Sequence, residues 1–255
     1  MSQSLETCDE GNYEFLPGIE PYSCGVRAAD GYEILRCTLL NPLPWQEGLE
    51  AARNFIEGTM GRPISALCGV ELRSPAPFTR QGFLDFNDGY CDLVEEWDLL
   101  VRGQNPIART NVAPAWAAPM APSLYAFSYT MPVHEETRAT FVVAGAGELR
   151  GGPMLTAQVI RPNDRTVGGL REKAAYVMGA MSRRLEGLGF TWDDVTATSV
   201  YTCCAMDAVL GPEVMDVIGA AARHGLRHYY ARPPIDALDY EMDCRGVLQE
   251  LILEN

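Results

Sequence analysis

Apolar and polar positions alternate along the chain in two registers, and the clearest change of register lies in its second half. Residues Phe141 to Glu148 read Phe-Val-Val-Ala-Gly-Ala-Gly-Glu, a β-branched, apolar run that ends on two glycines. Such a run predicts a strand delivered into a bare backbone turn, where a ligand can approach the main chain closely. Beyond it Leu170, Ala174, Val177, Met178, Met181, Leu185 and Leu188 fall on one helical stripe, which predicts a helix over 168–189 ended by Gly189. A strand at 195–201 follows, then a helix at 212–223 opened by Pro212 and closed by Gly225. Strands are expected at 226–232 and 237–244, and the tail 247–253 fits either a short helix or an edge strand.

The first half follows the same plan with weaker signals. A strand at 32–40 meets the break Asn41-Pro42-Leu43-Pro44, and Leu49, Ala52, Ile56 and Met60 mark a helical face. A strand at 64–72, a helix at 85–101 with Phe86, Leu93 and Trp97 on one side, an extended segment at 105–112 and an aromatic-rich strand at 124–131 complete it. Residues 1–30 show no periodicity and predict an arm or loop packed on something else. Two β-α-β-α-β units in succession therefore predict an α+β fold: an arm at 1–30, an N-terminal domain at 31–132 and a C-terminal domain at 133–255. Each half would lay two helices on one face of a mixed sheet. The other faces need cover, by sheet on sheet between the halves or between subunits, so an oligomer is expected.

The 255 residues, 47% of them hydrophobic, suffice for a substantial core. A net charge of -14 argues against nucleic-acid and anionic membrane partners, which need clustered Lys and Arg. It leaves an anionic small molecule open, because a few arginines act locally. No apolar run reaches membrane-spanning length and the N-terminus lacks signal-peptide features, which predicts a cytoplasmic protein. The 8 cysteines form no C-x-x-C pattern and read as reduced thiols. His224 and His228 have the spacing of a zinc pair, but Gly225 lies between them and no further ligands complete a site. Neither a dinucleotide fingerprint, a nucleophile elbow nor a P-loop lysine is present, so no metal and no cofactor is expected.

Three stretches carry a family resemblance. They are the 141–148 segment, the run Leu185-Glu-Gly-Leu-Gly-Phe-Thr-Trp-Asp-Asp-Val-Thr-Ala-Thr-Ser-Val-Tyr201, and Tyr240-Glu-Met-Asp243. Together they resemble the reactive-intermediate deaminase (Rid, YjgF-type) superfamily, in which a strand ends in Ser-Gly-Gln and the last strand contains Glu-Ile-Glu. Pro106-Ile107-Ala108-Arg109-Thr110-Asn111-Val112 resembles the family's Pro-Ala-Arg-Ser/Thr-x-Val motif, whose arginine grips a substrate carboxylate. Size and the split of motifs are most similar to the two-domain 2-aminomuconate or 2-amino-5-chloromuconate deaminase type. The resemblance implies a chorismate-mutase-like fold, sheets packed in an oligomeric barrel, a homotrimer or hexamer with sites in clefts, and hydrolysis of an enamine or imine dicarboxylic acid to a 2-oxo acid and ammonia. The sequence departs from the pattern in its second half. There the arginine motif reads Tyr230-Ala231-Arg232-Pro233-Pro234, nine positions before Glu241, and the glutamine of Ser-Gly-Gln is Gly147 or Ala146.

That chemistry assigns roles. A carboxylate must be held, a carbon protonated and a water directed at C=N. Arg109 is expected to clamp the carboxylate, since a guanidinium offers two parallel hydrogen bonds, and Asn111, on the same strand face, to assist it. Glu241, in an apolar strand where burial raises a carboxyl pKa, is expected to be acid and base. Arg232 is a candidate for a distal carboxylate, Gly145 for backbone contact, Tyr125 and Tyr230 for pocket walls, and Asn87 for a polar contact. The alternative is a non-catalytic member that binds a small metabolite or regulates a partner.

Overall fold

A computed structural model describes residues 4–133, 137–151, 155 and 157–254. Strands β1 (Glu6–Cys8), β2 (Tyr13–Leu16), β3 (Gly25–Ala28) and β4 (Tyr32–Pro44) lead into helix α1 (Trp45–Asn54). Then come β5 (Leu67–Arg73), α2 (Arg80–Glu96), β6 (Ala108–Pro114) and β7 (Ser123–Pro132). The second half contains β8 (Phe141–Gly147), β9 (Leu149–Arg150), β10 (Gln158–Val159), α3 (Val167–Leu188) and β11 (Ala197–Tyr201). It closes with β12 (Arg227–Tyr229), β13 (Ala231–Arg232), β14 (Glu241–Gly246) and β15 (Gln249–Leu253).

The strands form a seven-stranded sheet, β1-β2-β3-β8-β14-β11-β12, and a six-stranded sheet, β13-β6-β5-β7-β4-β15, with β9 and β10 as a separate ribbon. The two sheets lie face to face. Between them pack Phe15, Val26, Ile34, Cys68, Ala108 and Ala144. Helices cover the outer faces: α1 and α2 bury Leu49, Ala52, Tyr90 and Val94 on the six-stranded sheet, and α3 buries its apolar stripe on the seven-stranded one. Each large side chain of that stripe is worth roughly 1.5–3 kcal/mol of burial. Sheet-on-sheet cover is thus supplied within one chain.

The strands do not stay within their own halves. Residues 4–30 contain three antiparallel strands, and β3 pairs with β8 of the second half. In return β13 pairs with β6, and β15 runs parallel to β4. The arm is therefore sheet, not loop. Its strands are too short and interrupted to show a period, and they form because β8 offers a free edge. The tail is the edge strand of its two options. The expected strand at 226–232 divides at Tyr230, its first part joining one sheet and its last two residues the other.

Several element ends differ from expectation for local reasons. The Asn41-Pro42 break is carried inside β4 by a register shift between Thr38 and Leu43 against β7. Helix α2 begins five residues early, at Arg80, because the Thr79 hydroxyl accepts the Gly82 amide at 3.0 Å. Its buried face is Phe83, Asn87, Tyr90 and Val94 rather than the Phe86 side. The expected helix at 212–223 is instead an irregular helical run, Leu210–Met215, Asp216–Ile218 and Gly219–His224, broken where Gly219 takes φ 54°. Helix α3 ends as expected on Gly189, at φ 85°. Among the described residues no helix is long and apolar enough to cross a membrane.

Candidate active site

The site sits where the six-stranded sheet runs out. Strand β6 is nearly at the edge, because β13 covers only Ala113 and Pro114. The side of β6 that carries Arg109 and Asn111 is left open to a cavity of about 490 Å³. The other walls are α2 (Phe83, Asn87), the ends of β8 and β14 (Gly145, Gly147, Glu241), α3 (Tyr176, Ala180, Arg184), and the turns at Tyr22 and Ile235.

Strand β8 supplies its bare backbone through a bulge. Glu241 pairs with Gly147 and Met242 with Ala146, but Cys244 pairs with Val143, so Ala144 and Gly145 together oppose the single residue Asp243. Before the bulge Phe141 and Val143 face α3, while after it Gly145 faces inward, toward Glu241 and Thr110. A β-carbon at Gly145 would collide with Oε1 of Glu241 and stand 3.1 Å from Cγ2 of Thr110. Only glycine fits here, for lack of space rather than for a special φ.

Arg109 is 3% exposed. Its guanidinium stacks between the rings of Tyr22 and Tyr90, with centroids at 4.8 and 4.6 Å. Nη2 donates to Oδ1 of Asn87 at 2.5 Å, and Nη1 is buried with no partner. Burial lowers its pKa from the ordinary arginine value, although arginine stays charged at any working pH. A buried cation with a free donor facing a cavity is a place for an anion. Asn111 accepts from Oγ of Ser74 at 2.9 Å through Oδ1, and its Nδ2 is also without a partner.

Glu241 is 4% exposed. Burial pushes its carboxyl well above the ordinary carboxylate range. Asp243 and Glu148 push the same way, against Arg184 and Arg73. A network behind it fixes the turn that presents it. Glu148, at the end of β8, accepts the amides of Asp239 and Tyr240 at 2.6 and 3.1 Å. Lys173, the one lysine of the chain and fully buried, bridges Glu148 at 3.2 Å and Asp239 at 2.6 Å.

The structure thus brings Arg109, Asn87, Asn111, Gly145 and Glu241 to one cavity. It does not bring Arg232, Tyr125 or Tyr230 there. Arg232, past the point where the chain changes sheets, donates to the carbonyl of Asp236 at 2.7 Å and lines a separate hollow with Arg165, Cys203 and Cys204. Tyr125 lies under the guanidinium of Arg73, at 4.0 Å. Tyr230 is 54% exposed. Gly151 also lines the cavity, and Gly152 beside it lies outside the described residues. Sequence reasoning missed Tyr22, in the aperiodic arm, and Arg184. The latter's signal was its i, i+4, i+8 spacing with Tyr176 and Ala180, a half-buried row that flanks the apolar stripe of α3.

The fold and cavity define a two-sheet α+β protein whose site sets an unpaired buried guanidinium and a buried carboxyl around a glycine bulge. The chain belongs to the family described as 2-aminomuconate deaminase CnbZ, whose sequence pattern matches residues 5–251. It is 38% identical over 245 residues to the 2-amino-5-chloromuconate deaminase of Comamonas testosteroni, covering 95% of this chain and 96% of that protein. Among solved structures, a chorismatase is 12% identical with a TM-score of 0.49, covering 91% of this chain and 79% of that one. An L-PSP protein from Entamoeba histolytica is 19% identical with a TM-score of 0.32, covering 43% of this chain and 80% of that one.

Proposed function

We propose that this chain is a hydrolytic deaminase acting on the C–N bond of a 2-aminomuconate-type enamine, giving the 2-oxo acid and ammonia. The observation that carries the reading is Arg109, whose buried Nη1 has no partner, lining the same cavity as a carboxyl whose pKa burial raises. Family membership weighs the same way, and against a merely binding role.

In this reading Arg109 and Asn111 hold the carboxylate beside the amino-bearing carbon, and Asn87 sets the plane of the guanidinium. Glu241 gives its proton to the enamine carbon, the C=C pair takes it up, and an iminium and a carboxylate result. Glu241 then accepts a proton from the water that adds to C=N. In the carbinolamine so formed, a proton passes to nitrogen, the C–N bond breaks and ammonia leaves as C=O forms. The sum is enamine plus water to ketone plus ammonia, with Glu241 unchanged. General acid–base help of this kind is worth roughly 10²–10⁴ in rate.

The exchanged strands support treating both halves as chorismate-mutase-like units that share one working site, with Arg232 and Tyr125 left in the degenerate counterpart. Leu248, just before β15, and Leu251 and Ile252 within it are exposed and support assembly into an oligomer such as a trimer. Light scattering tests that assembly. The activity is tested by ammonia release and ultraviolet loss on freshly generated 2-aminomuconate, with Arg109→Ala and Glu241→Gln beside the native chain. Release in the native chain, abolished in both variants, is expected; release no faster than the spontaneous rate would overturn the reading.

A further inference from the structure

Arg184 is the second cation of the cavity, and nothing in the reaction above uses it. It rises from α3 on the opposite side of the seven-stranded sheet from β6, so it enters the cavity from a different layer than Arg109. One of its nitrogens, Nη1, donates to the carbonyls of Ala144 and Gly145 at 2.7 and 3.1 Å. That anchorage pins the guanidinium to the bulge and leaves the edge formed by Nε and Nη2 without a partner among the described residues. No carboxylate among those residues pairs with Arg184, in a chain carrying 34 acidic side chains. Of the cavity's own acids, Glu241 is the buried proton donor and Glu20 is exposed at the rim.

Much of the remaining lining is apolar, with Phe83, Ala146, Ala180, Ile235 and Leu238 among it. Ala180 lies one turn before Arg184 on the same helix face and leaves room over that turn. Tyr176, a further turn back, is held by its hydroxyl on the Leu149 carbonyl at 2.9 Å. A molecule that satisfies this arrangement is charged at both ends and unsaturated or aliphatic between them.

We propose that Arg184 is a specificity-determining residue that binds the far carboxylate of an extended dicarboxylate whose near carboxylate lies on Arg109. The inference rests on the deaminase reading of the same cavity and names what that reading leaves open, the group that distinguishes a dicarboxylic from a monocarboxylic substrate. The exposed edge of a guanidinium matches a carboxylate with two parallel hydrogen bonds. Its anchorage to Gly145 means that the far end of the substrate is indexed against the same bulge that faces Glu241.

The test uses two non-reacting probes, cis,cis-muconate with a carboxylate at each end and 2,4-hexadienoate with one, bound to the native chain, Arg184→Gln and Arg184→Lys. Calorimetry should show the native chain preferring muconate, and Arg184→Gln weakening muconate about 10- to 100-fold, the range for a hydrogen bond to a charged group, with 2,4-hexadienoate changed less than about 2-fold. Arg184→Lys should fall between them. Equal weakening of both probes would assign Arg184 a structural role in holding β8 and overturn the proposal, as would binding of neither probe. Discrimination between the probes without ammonia release from 2-aminomuconate would uphold the clamp and sink the deaminase reading. Turnover with no discrimination would do the reverse.

Discussion

Gly145 and Glu241 share a boundary that leaves no room for a methyl group, since the hydrogen of the Gly145 α-carbon is what allows Oε1 of Glu241 to lie where it does. The backbone there cannot yield easily, because the carbonyls of Ala144 and Gly145 are both held by Arg184. Gly145→Ala should therefore move the carboxyl rather than the strand. We expect kcat to fall about 100-fold, the scale of a 1 Å misplacement of a catalytic group, with a stability loss of roughly 1–3 kcal/mol from overpacking. Steady-state kinetics beside chemical denaturation checks it, and a stability loss with unaltered kcat would show that the strand gives way instead.

Glu241 should make the protein less stable as pH rises. Its native pKa lies above the unfolded value, so between the two the folded chain binds more protons than the unfolded chain. Stability then falls with pH across that window. Glutamine mimics the protonated form and removes this dependence. Glu241→Gln should abolish turnover yet unfold at a higher temperature than the native chain at pH 8, with a gain of about 1 kcal/mol typical of a relieved functional site. The gain should shrink toward zero as pH approaches about 4, near the ordinary glutamate value. Thermal melts of both proteins from pH 4 to 8 measure this, and a gap that does not change with pH would refute it.

The parts of this arrangement that were legible in the sequence are those fixed by local pattern. The stripe of α3 and the glycine-ended β8 follow from periodicity, and Arg109, with Asn111 two residues on, from the resemblance of residues 106–112 to the family's arginine motif. What could not be read depends on where distant segments meet. Tyr22 stacks on Arg109 because β3 docks on β8, a pairing 114 to 118 residues apart that no period announces. Arg232 and Tyr230 read as an arginine motif and a pocket wall, yet the chain changes sheets at Tyr230, so motif and cavity part company. Asn87, a candidate from resemblance, sits with Phe83, Tyr90 and Val94 on the buried face of α2, a face that the Phe86, Leu93 and Trp97 pattern did not mark.

Arg109 keeps its charge free for a ligand only because its neighbour Asn87 is neutral. Asn87→Asp would set a carboxylate within 2.5 Å of Nη2 in a buried place, giving the cation a resident partner. We expect binding of a carboxylate ligand to weaken about 100-fold, in line with the 2–3 kcal/mol of a charge-assisted pair, while the variant unfolds no more readily than the native chain. Calorimetric titration with muconate checks it. Undiminished affinity would show that Arg109 is not the carboxylate clamp.

Lys173 holds the turn before Glu241 by charge. Burial alone would push the carboxyls of Glu148 and Asp239 up; the hydrogen bonds from Lys173 and Arg165 overcome this at Asp239 and hold it below its ordinary value, while Glu148 stays raised by its burial. Lys173→Met keeps the length of the side chain but leaves Glu148 without a cation and Asp239 with Arg165 alone, and breaking a buried pair in this way costs about 3–5 kcal/mol. Because Glu148 accepts the amides of Asp239 and Tyr240, the disturbance reaches Glu241 through two residues of backbone, so kcat should drop with stability. Adding Glu148→Gln removes the stranded charge and should restore part of the stability without restoring kcat, since the cation that oriented this side chain is still missing. Urea denaturation and steady-state kinetics on the single and double variants separate the two effects. A single variant as stable as the native chain would mean that the lysine is dispensable to the turn.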